Sequence, residues 1–200
     1  MSVVNFLLEQ TAVYSLWQAP FAAKKLAPLL AHNDIRAARR VLDVGCGPGT
    51  NAHLFANSGY LGIDINPRYI EDARRKHNRN FLAADVTAYT VPEAKRYDFI
   101  LINSFLHHID TPAVRRILAH LRNCISPDGA VHILELVSPG DRSVAQFLAD
   151  WDRGKFPRPL AEWKRLFAEQ FALEVFEPYP LTGFGVTLWN MVYCKARARA

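Results

Sequence analysis

Three parts of the chain hold residue types at spacings that can do chemistry. The first is Val41-Leu42-Asp43-Val44-Gly45-Cys46-Gly47-Pro48-Gly49-Thr50, an apolar run that ends in glycines at alternate positions. Glycine admits positive φ and lets a ligand approach the backbone closely. A helix expected to begin near Thr50 would aim its free N–H groups at the same spot. The second is Asp64, 15 residues beyond Gly49. An acid there lies across the crevice from the glycine loop and can accept hydrogen bonds from both hydroxyls of a ribose; taken alone it would be a strand-end cap. The third is the pair His107-His108 with Glu135. Imidazole titrates near about 6.5 and suits a general base. A carboxylate near a strand end can bind an acceptor or a base, or cap a loop.

The elements that must position these residues read as alternating strand and helix. Residues 1–38 read as helical, with Pro20 in the first turn of a second helix through Leu30. Strands are expected over 41–44, 60–64, 81–84, 97–103 and 130–137. Asn66-Pro67 opens a helix with a cap and an N1 proline. Thr111-Pro112 caps another, whose Val114, Ile117, Leu118 and Leu121 share one face. Ser126-Pro127-Asp128-Gly129 reads as the turn that ends it. Further helices are expected over 143–151 and from Pro159, then closing strands near 171–177 and 186–194. This alternation implies an α/β fold, a mostly parallel sheet with helices on both faces. The closing pair has too short a connection for a parallel crossover and should be antiparallel.

Composition sets the frame. With 200 residues and about 150 residues per domain, one domain is expected: a helical cap over 1–38 and a main unit over 39–200. Half the residues are hydrophobic, 22% are charged and the net charge is +5, which fits an ordinary globular chain and excludes collagen, coiled coil and disulfide scaffold. Cys46, Cys124 and Cys194 are odd in number and widely spaced; free thiols in a reducing compartment are the reading, with no metal site. The first ten residues lack a basic n-region, and the uncharged run 178–194 is too broken for a membrane span. A cytoplasmic protein is expected. The basic clusters read as solvated surface rather than a nucleic-acid footprint.

The glycine spacing is G-x-G-x-G. A dinucleotide fingerprint needs its third glycine at position 50, which is Thr50. That weakens a nicotinamide or flavin reading. Instead, Asp43-Val44-Gly45-Cys46-Gly47-Pro48-Gly49, Gly62-Ile63-Asp64, Ala84-Asp85-Val86, and Tyr97-Asp98-Phe99-Ile100 with Phe105-Leu106-His107-His108 resemble the class I S-adenosylmethionine-dependent methyltransferases, closely over residues 40–137. The resemblance implies a Rossmann-like sheet of seven strands with the last antiparallel. It implies S-adenosyl-L-methionine as cofactor and S-adenosyl-L-homocysteine as product. Gly45, Cys46, Gly47 and Gly49 would pass under the methionine part, with Asp43 bracing the loop by accepting backbone N–H bonds. Asp64, followed by Ile65, would hold the ribose. Asp85 and Val86 would border the adenine, with a simple turn aspartate as the alternative role of Asp85, and Asn103 would lie near the methionine and the transferred methyl, with a strand-end cap as its alternative. Tyr14, and Trp17 beside it, could close over the cofactor, or pack as helix residues.

Methyl transfer from a sulfonium is an in-line displacement that needs mainly positioning. A base is needed only where the acceptor must lose a proton. His107, His108 and Glu135 are the candidates, with loop hydrogen bonding as the alternative role. His132, inside the fifth strand, reads as a core residue, and Tyr179 and Trp189 as core or pocket lining. Arg153, Lys155 and Arg158 could recognise a carboxylate or phosphate, or could be a solvated loop. A small-molecule, anionic acceptor is the resulting expectation. Asn103-Ser104-Phe105-Leu106 lacks the segment of enzymes that methylate base amines, so no nucleic-acid partner is expected. Another enzyme class on the same fold, or a non-catalytic scaffold, is the alternative. No motif names the acceptor or an oligomeric state.

Overall fold

The computed structural model describes residues 21–138, 156–183 and 185–199. In chain order its regular elements are α1 (Ala22–Ala31), β1 (Arg40–Val44), β2 (Gly59–Asp64), α2 (Pro67–Lys76), β3 (Asn80–Ala83), β4 (Tyr97–Asn103), α3 (Thr111–Arg122), β5 (Ile125–Val137), α4 (Leu160–Gln170), β6 (Phe171–Gly183) and β7 (Val186–Ala198). The strands form one sheet in the order β3-β2-β1-β4-β5-β7-β6. Pairing is parallel from β3 through β5. β7 runs antiparallel between β5 and β6, as expected of the closing pair. Chain order reverses at β1, which lies between β2 and β4, so a crevice opens at the carboxyl ends of β1 and β4.

Both faces of the sheet are covered, which is why its strands read as apolar runs. Val41, Phe99 and Leu101 pack with Leu26 and Leu29 of α1 and Ile70 and Ala73 of α2. Leu42, Ile100 and Ile102 pack with Val114, Ile117 and Leu118 of α3 and Trp163, Leu166 and Phe167 of α4. The alternation along β1 and β4 follows from the two-residue strand period.

Local chemistry sets the boundaries. Asn66 accepts from Arg68 N at 3.0 Å and Pro67 stands at the first turn of α2, while Arg74, Arg75 and Lys76 fill its last turn, the favoured end for cations. The cap of α3 is Asp110, whose side chain accepts from Ala113 N at 2.7 Å, rather than Thr111-Pro112. Residues 126–129 lie inside β5, because Ile125 pairs with Tyr97 ahead of an irregular register. After the glycines, the expected α-helix is replaced by one short 3₁₀ segment, Ala52–Phe55. The region 143–151 lies outside the described residues, as do Tyr14 and Trp17.

His132, Trp189 and Tyr179 all pack in or against the core. His132 Nδ1 is 3.0 Å from Tyr193 Oη and its ring stacks on Phe99 at 3.9 Å. Burial, with Lys195 and Arg197 nearby, pushes its pKa down to about 3. Trp189 packs edge-on against Phe21, and Tyr179 Oη donates to Lys25 O at 2.7 Å. Among the described residues, no helix is long and apolar enough to cross a membrane.

Trp163 is fully buried and its Nε1 donates to Leu136 O at 2.8 Å. Trp163→Ala should therefore lower stability by about 3–5 kcal/mol, the range for truncating a large buried aromatic. Urea unfolding measures it; a loss under about 1 kcal/mol would mean that α4 does not anchor this face.

Candidate active site

The glycine loop leaves β1 with Gly45, Gly47 and Gly49 at φ of +68°, +53° and +81°. At Gly45 the constraint is double. Its backbone is left-handed, and a Cβ would stand 2.6 Å from the Phe105 ring, so the loop after β1 touches the loop after β4 there. At Gly47 a Cβ would meet nothing within 4 Å. This side of the loop is open to a ligand. Gly45 N and Cys46 N donate to Ile63 O at 2.8 and 3.1 Å, which ties the loop to β2. Cys46 is buried.

Asp64 closes the loop from the other side. Its Oδ2 accepts from Gly47 N at 2.9 Å and its Oδ1 from Asn66 N at 2.8 Å. A carboxylate has about four acceptor positions, so each oxygen keeps a lone pair. The bracing role expected of Asp43 thus belongs to Asp64: the loop's N–H goes to Asp64, whereas Asp43 Oδ2 accepts from the Tyr60 hydroxyl at 2.7 Å. The reason is burial. Asp43 points into the packed face of β1 with none of its surface exposed. Burial raises its pKa to about 7, against the opposing pull of Tyr60 and Asn51.

At the end of β4, Asn103 Nδ2 donates to Asn51 Oδ1 at 3.2 Å. Ser104 follows with φ of 55°, an uncommon conformation for a side-chain-bearing residue. Three buried oxygens at this edge, Asp43 Oδ1, Asn103 Oδ1 and Ser104 Oγ, have no hydrogen-bond partner among the described residues. Buried acceptors left without donors are rare. They fit a ligand that brings N–H donors, as the ammonium end of S-adenosylmethionine does.

Ile65 is 74% exposed directly beyond Asp64. Asp85 is exposed and caps its own turn, accepting from Thr87 N and Oγ1 at 2.8 Å, which holds its carboxyl below the usual range. Val86 beside it is buried. Ala84 N donates to Asp64 O at 3.0 Å, so this turn adjoins Asp64.

Glu135 and His107 meet. Glu135 has no exposed surface; it accepts from Leu106 N at 2.9 Å, from Leu136 N at 2.8 Å and from His107 Nδ1. Burial pushes its carboxyl up, but His107 and these amides outweigh that and hold it below the usual value. An ionised Glu135 fixes the proton of His107 on Nδ1. His108 is exposed, with its ring 4.1 Å from that of His107.

Arg158 corrects an expectation. It is buried rather than solvated, and it holds no open anion site. Its guanidinium donates to Leu106 O at 3.2 Å, Phe156 O at 3.1 Å and Ile109 O at 2.7 Å, with Thr111 Oγ1 at 3.1 Å. Leu106 is thus gripped by its N–H and its carbonyl at once. Arg153 and Lys155 lie outside the described residues.

The structure therefore brings Asp43, Gly45, Cys46, Gly47, Gly49, Asp64 and Asn103 together at the carboxyl ends of β1, β2 and β4, with Asp43 and Cys46 buried beneath the loop, and joins His107 to Glu135. Sequence reasoning missed Tyr60 and Asn51. A phenol in a buried strand, one strand over from a buried acid, was the available signal.

Residues 41–129 match the family model of a methyltransferase domain. Over that segment the chain is similar to methyltransferase domains. The chain is 31% identical over 112 residues to the trans-aconitate 2-methyltransferase of Methylobacterium radiotolerans, covering 54% of this chain and 42% of that one. It is 28% identical over 184 residues to the enzyme of the same name from Methylobacterium nodulans, covering 86% and 67%. It spans about half the length of several curated relatives it matches. Its fold is that of the N-methyltransferase NodS from Bradyrhizobium japonicum WM9, solved with S-adenosyl-L-homocysteine, at a TM-score of 0.69 and 16% identity, covering 90% and 89% of the two chains.

Glu135→Ala should cost about 3–5 kcal/mol, because it strands a buried histidine and two amides. Because the carboxyl lies lower in the folded state, its stabilisation is complete above the unfolded value of about 4.3 and is lost as pH falls through the folded one. Urea unfolding across the acid range should show a steep decline in the wild type and a flatter one in Glu135→Gln. Equal slopes would remove the pair from acid stability.

Proposed function

We propose that this protein transfers a methyl group from S-adenosylmethionine to a small-molecule acceptor. The observation that carries the reading is the crevice between the ends of β1 and β4. There, an open glycine loop, the Asp64 carboxylate and buried oxygens of Asp43 and Asn103 that have no partner among the described residues meet. When bound, the cofactor supplies an activated methyl on a sulfonium; the chain's task is to hold both partners in line and exclude water. Asp64 takes the ribose hydroxyls with its remaining lone pairs. Ile65, with Asp85 and Val86, flanks the adenine. Asp43 and Asn103 face the ammonium end.

His107 acts as a positioning residue. Its bond to Glu135 and the grip of Glu135 on Leu106 N fix the loop that borders the methyl. His108, exposed on the same loop, is the group that can take a proton from an acceptor. The names of the Methylobacterium relatives, whose acceptor is a carboxylate, support an anionic small molecule. Arg158, spent on backbone carbonyls, does not contribute to that.

Calorimetry with S-adenosylmethionine and S-adenosylhomocysteine, with NAD as control, tests the cofactor. Both adenosyl ligands should bind and NAD should not. Asp64→Ala should weaken them roughly 30-fold or more, since two charge-assisted hydrogen bonds are lost. Asp64→Asn, which keeps one oxygen for the loop, should lie between. Unchanged affinity in both would overturn the ribose assignment. Methyl-labelled cofactor with a panel of carboxylic acids then tests the acceptor class.

A further inference from the structure

A buried polar chain runs beneath the glycine loop. The Tyr60 hydroxyl donates to Asp43 Oδ2 at 2.7 Å, Asn51 stands beside Asp43, and Asn103 Nδ2 donates to Asn51 Oδ1 at 3.2 Å. Tyr60, Asp43 and Asn51 are all buried, on the face of the sheet that β1 and β2 share. The chain links the ends of β1 and β4, the two strands that flank the crevice. At each end one oxygen, Asp43 Oδ1 and Asn103 Oδ1, is left without a donor among the described residues. Nothing in the packing requires a phenol at Tyr60. Phenylalanine would fill the same space against Phe55 and Phe81, so the hydroxyl serves Asp43.

We propose that Tyr60 and Asn51 are positioning residues for the cofactor: through Asp43 and Asn103 they hold two acceptor oxygens towards its ammonium end. The inference rests on the methyltransferase reading. It carries a consequence for charge. An ammonium group favours the ionised carboxylate, and so does the Tyr60 hydroxyl. Burial favours the neutral acid and dominates, with Asp64 adding repulsion, which places Asp43 at about 7. Among the described residues, the other titratable groups that face it are the Cys46 thiol and the Tyr60 phenol, with Arg79 acting on the phenol. Cofactor binding therefore draws a proton from Asp43, and affinity should rise with pH through that region.

The test titrates S-adenosylhomocysteine, which has the ammonium but no sulfonium, into wild type and Tyr60→Phe from pH 5.5 to 8.5. Without the hydroxyl the carboxylate loses a stabilising donor, so the rise should shift upward by about one pH unit. The variant should bind roughly tenfold weaker at pH 6.5 and equally well at the alkaline end. Asn51→Ala should weaken binding about tenfold at the alkaline end, because Asn103 loses its acceptor, and by more at pH 6.5, because Asp43 also loses the pull of Asn51. Urea unfolding without ligand gives a second reading. The folded state holds the Asp43 proton more tightly, so this group's contribution falls as pH rises from about 4 to about 7. Tyr60→Phe should extend that fall upward.

A shifted stability profile with a pH profile for binding that does not move would mean that the chain is structural or faces a trapped water, and would overturn the proposal. Unchanged affinity in Asn51→Ala would overturn the part assigned to Asn51. Absence of any binding by the wild type would instead sink the methyltransferase reading, while the ligand-free experiment would still report on the Tyr60–Asp43 bond.

Discussion

A carboxylate with no water must find donors for both oxygens or give up its charge. Glu135 meets that condition with His107 and two amides, and the geometry of the β4–α3 loop follows from it. Arg158 meets the converse condition with three carbonyls on and near the same loop. Together they hold Leu106 by both its polar groups, so the segment bearing both histidines is set by charges that never reach solvent. Removing either charge leaves buried backbone groups orphaned, which couples the stability of the fold to the shape of the crevice.

The loops after β1 and β4 form one unit for a related reason. Phe105 occupies the space where any side chain at Gly45 would go, and Asn103 reaches back to Asn51. Apolar contact joins one pair and a polar contact joins the other. A ligand lying across the crevice thus meets two loops that are already docked, which reduces the ordering needed on binding.

Much of this was legible in the residues. The limits of β4 follow from a segment that is apolar but for Asp98 and its closing Asn103, and the existence of α3, though not its ends, from Val114, Ile117, Leu118 and Leu121 at helical spacing. The cap of α3 was misplaced by one residue, since Asp110 and Thr111 are both good caps and only the chain path chooses between them. Ser126–Gly129 has turn composition and pairs with nothing in β4, yet it is enclosed in β5 because Ile125 and Ala130 on either side pair with Tyr97 and Phe99, a tertiary effect that local propensity does not carry. Arg158 looked like a ligand-binding cation because its partners are carbonyls, which every residue has and no sequence pattern displays. The link from Tyr60 to Asp43 crosses between strands and depends on register. The site residues carried by the glycine spacing were therefore visible, and those that support them from neighbouring elements were not.

The outer strands of the sheet are β3 and β6. β3 is four residues long. β6 is much longer, but Pro178 and Pro180 fall within it. Each proline removes an amide from the row that an incoming strand would need. The same chain that closes its sheet with a long antiparallel hairpin thus discourages that hairpin from recruiting another molecule, a safeguard against sheet-to-sheet polymerisation during folding and at high concentration.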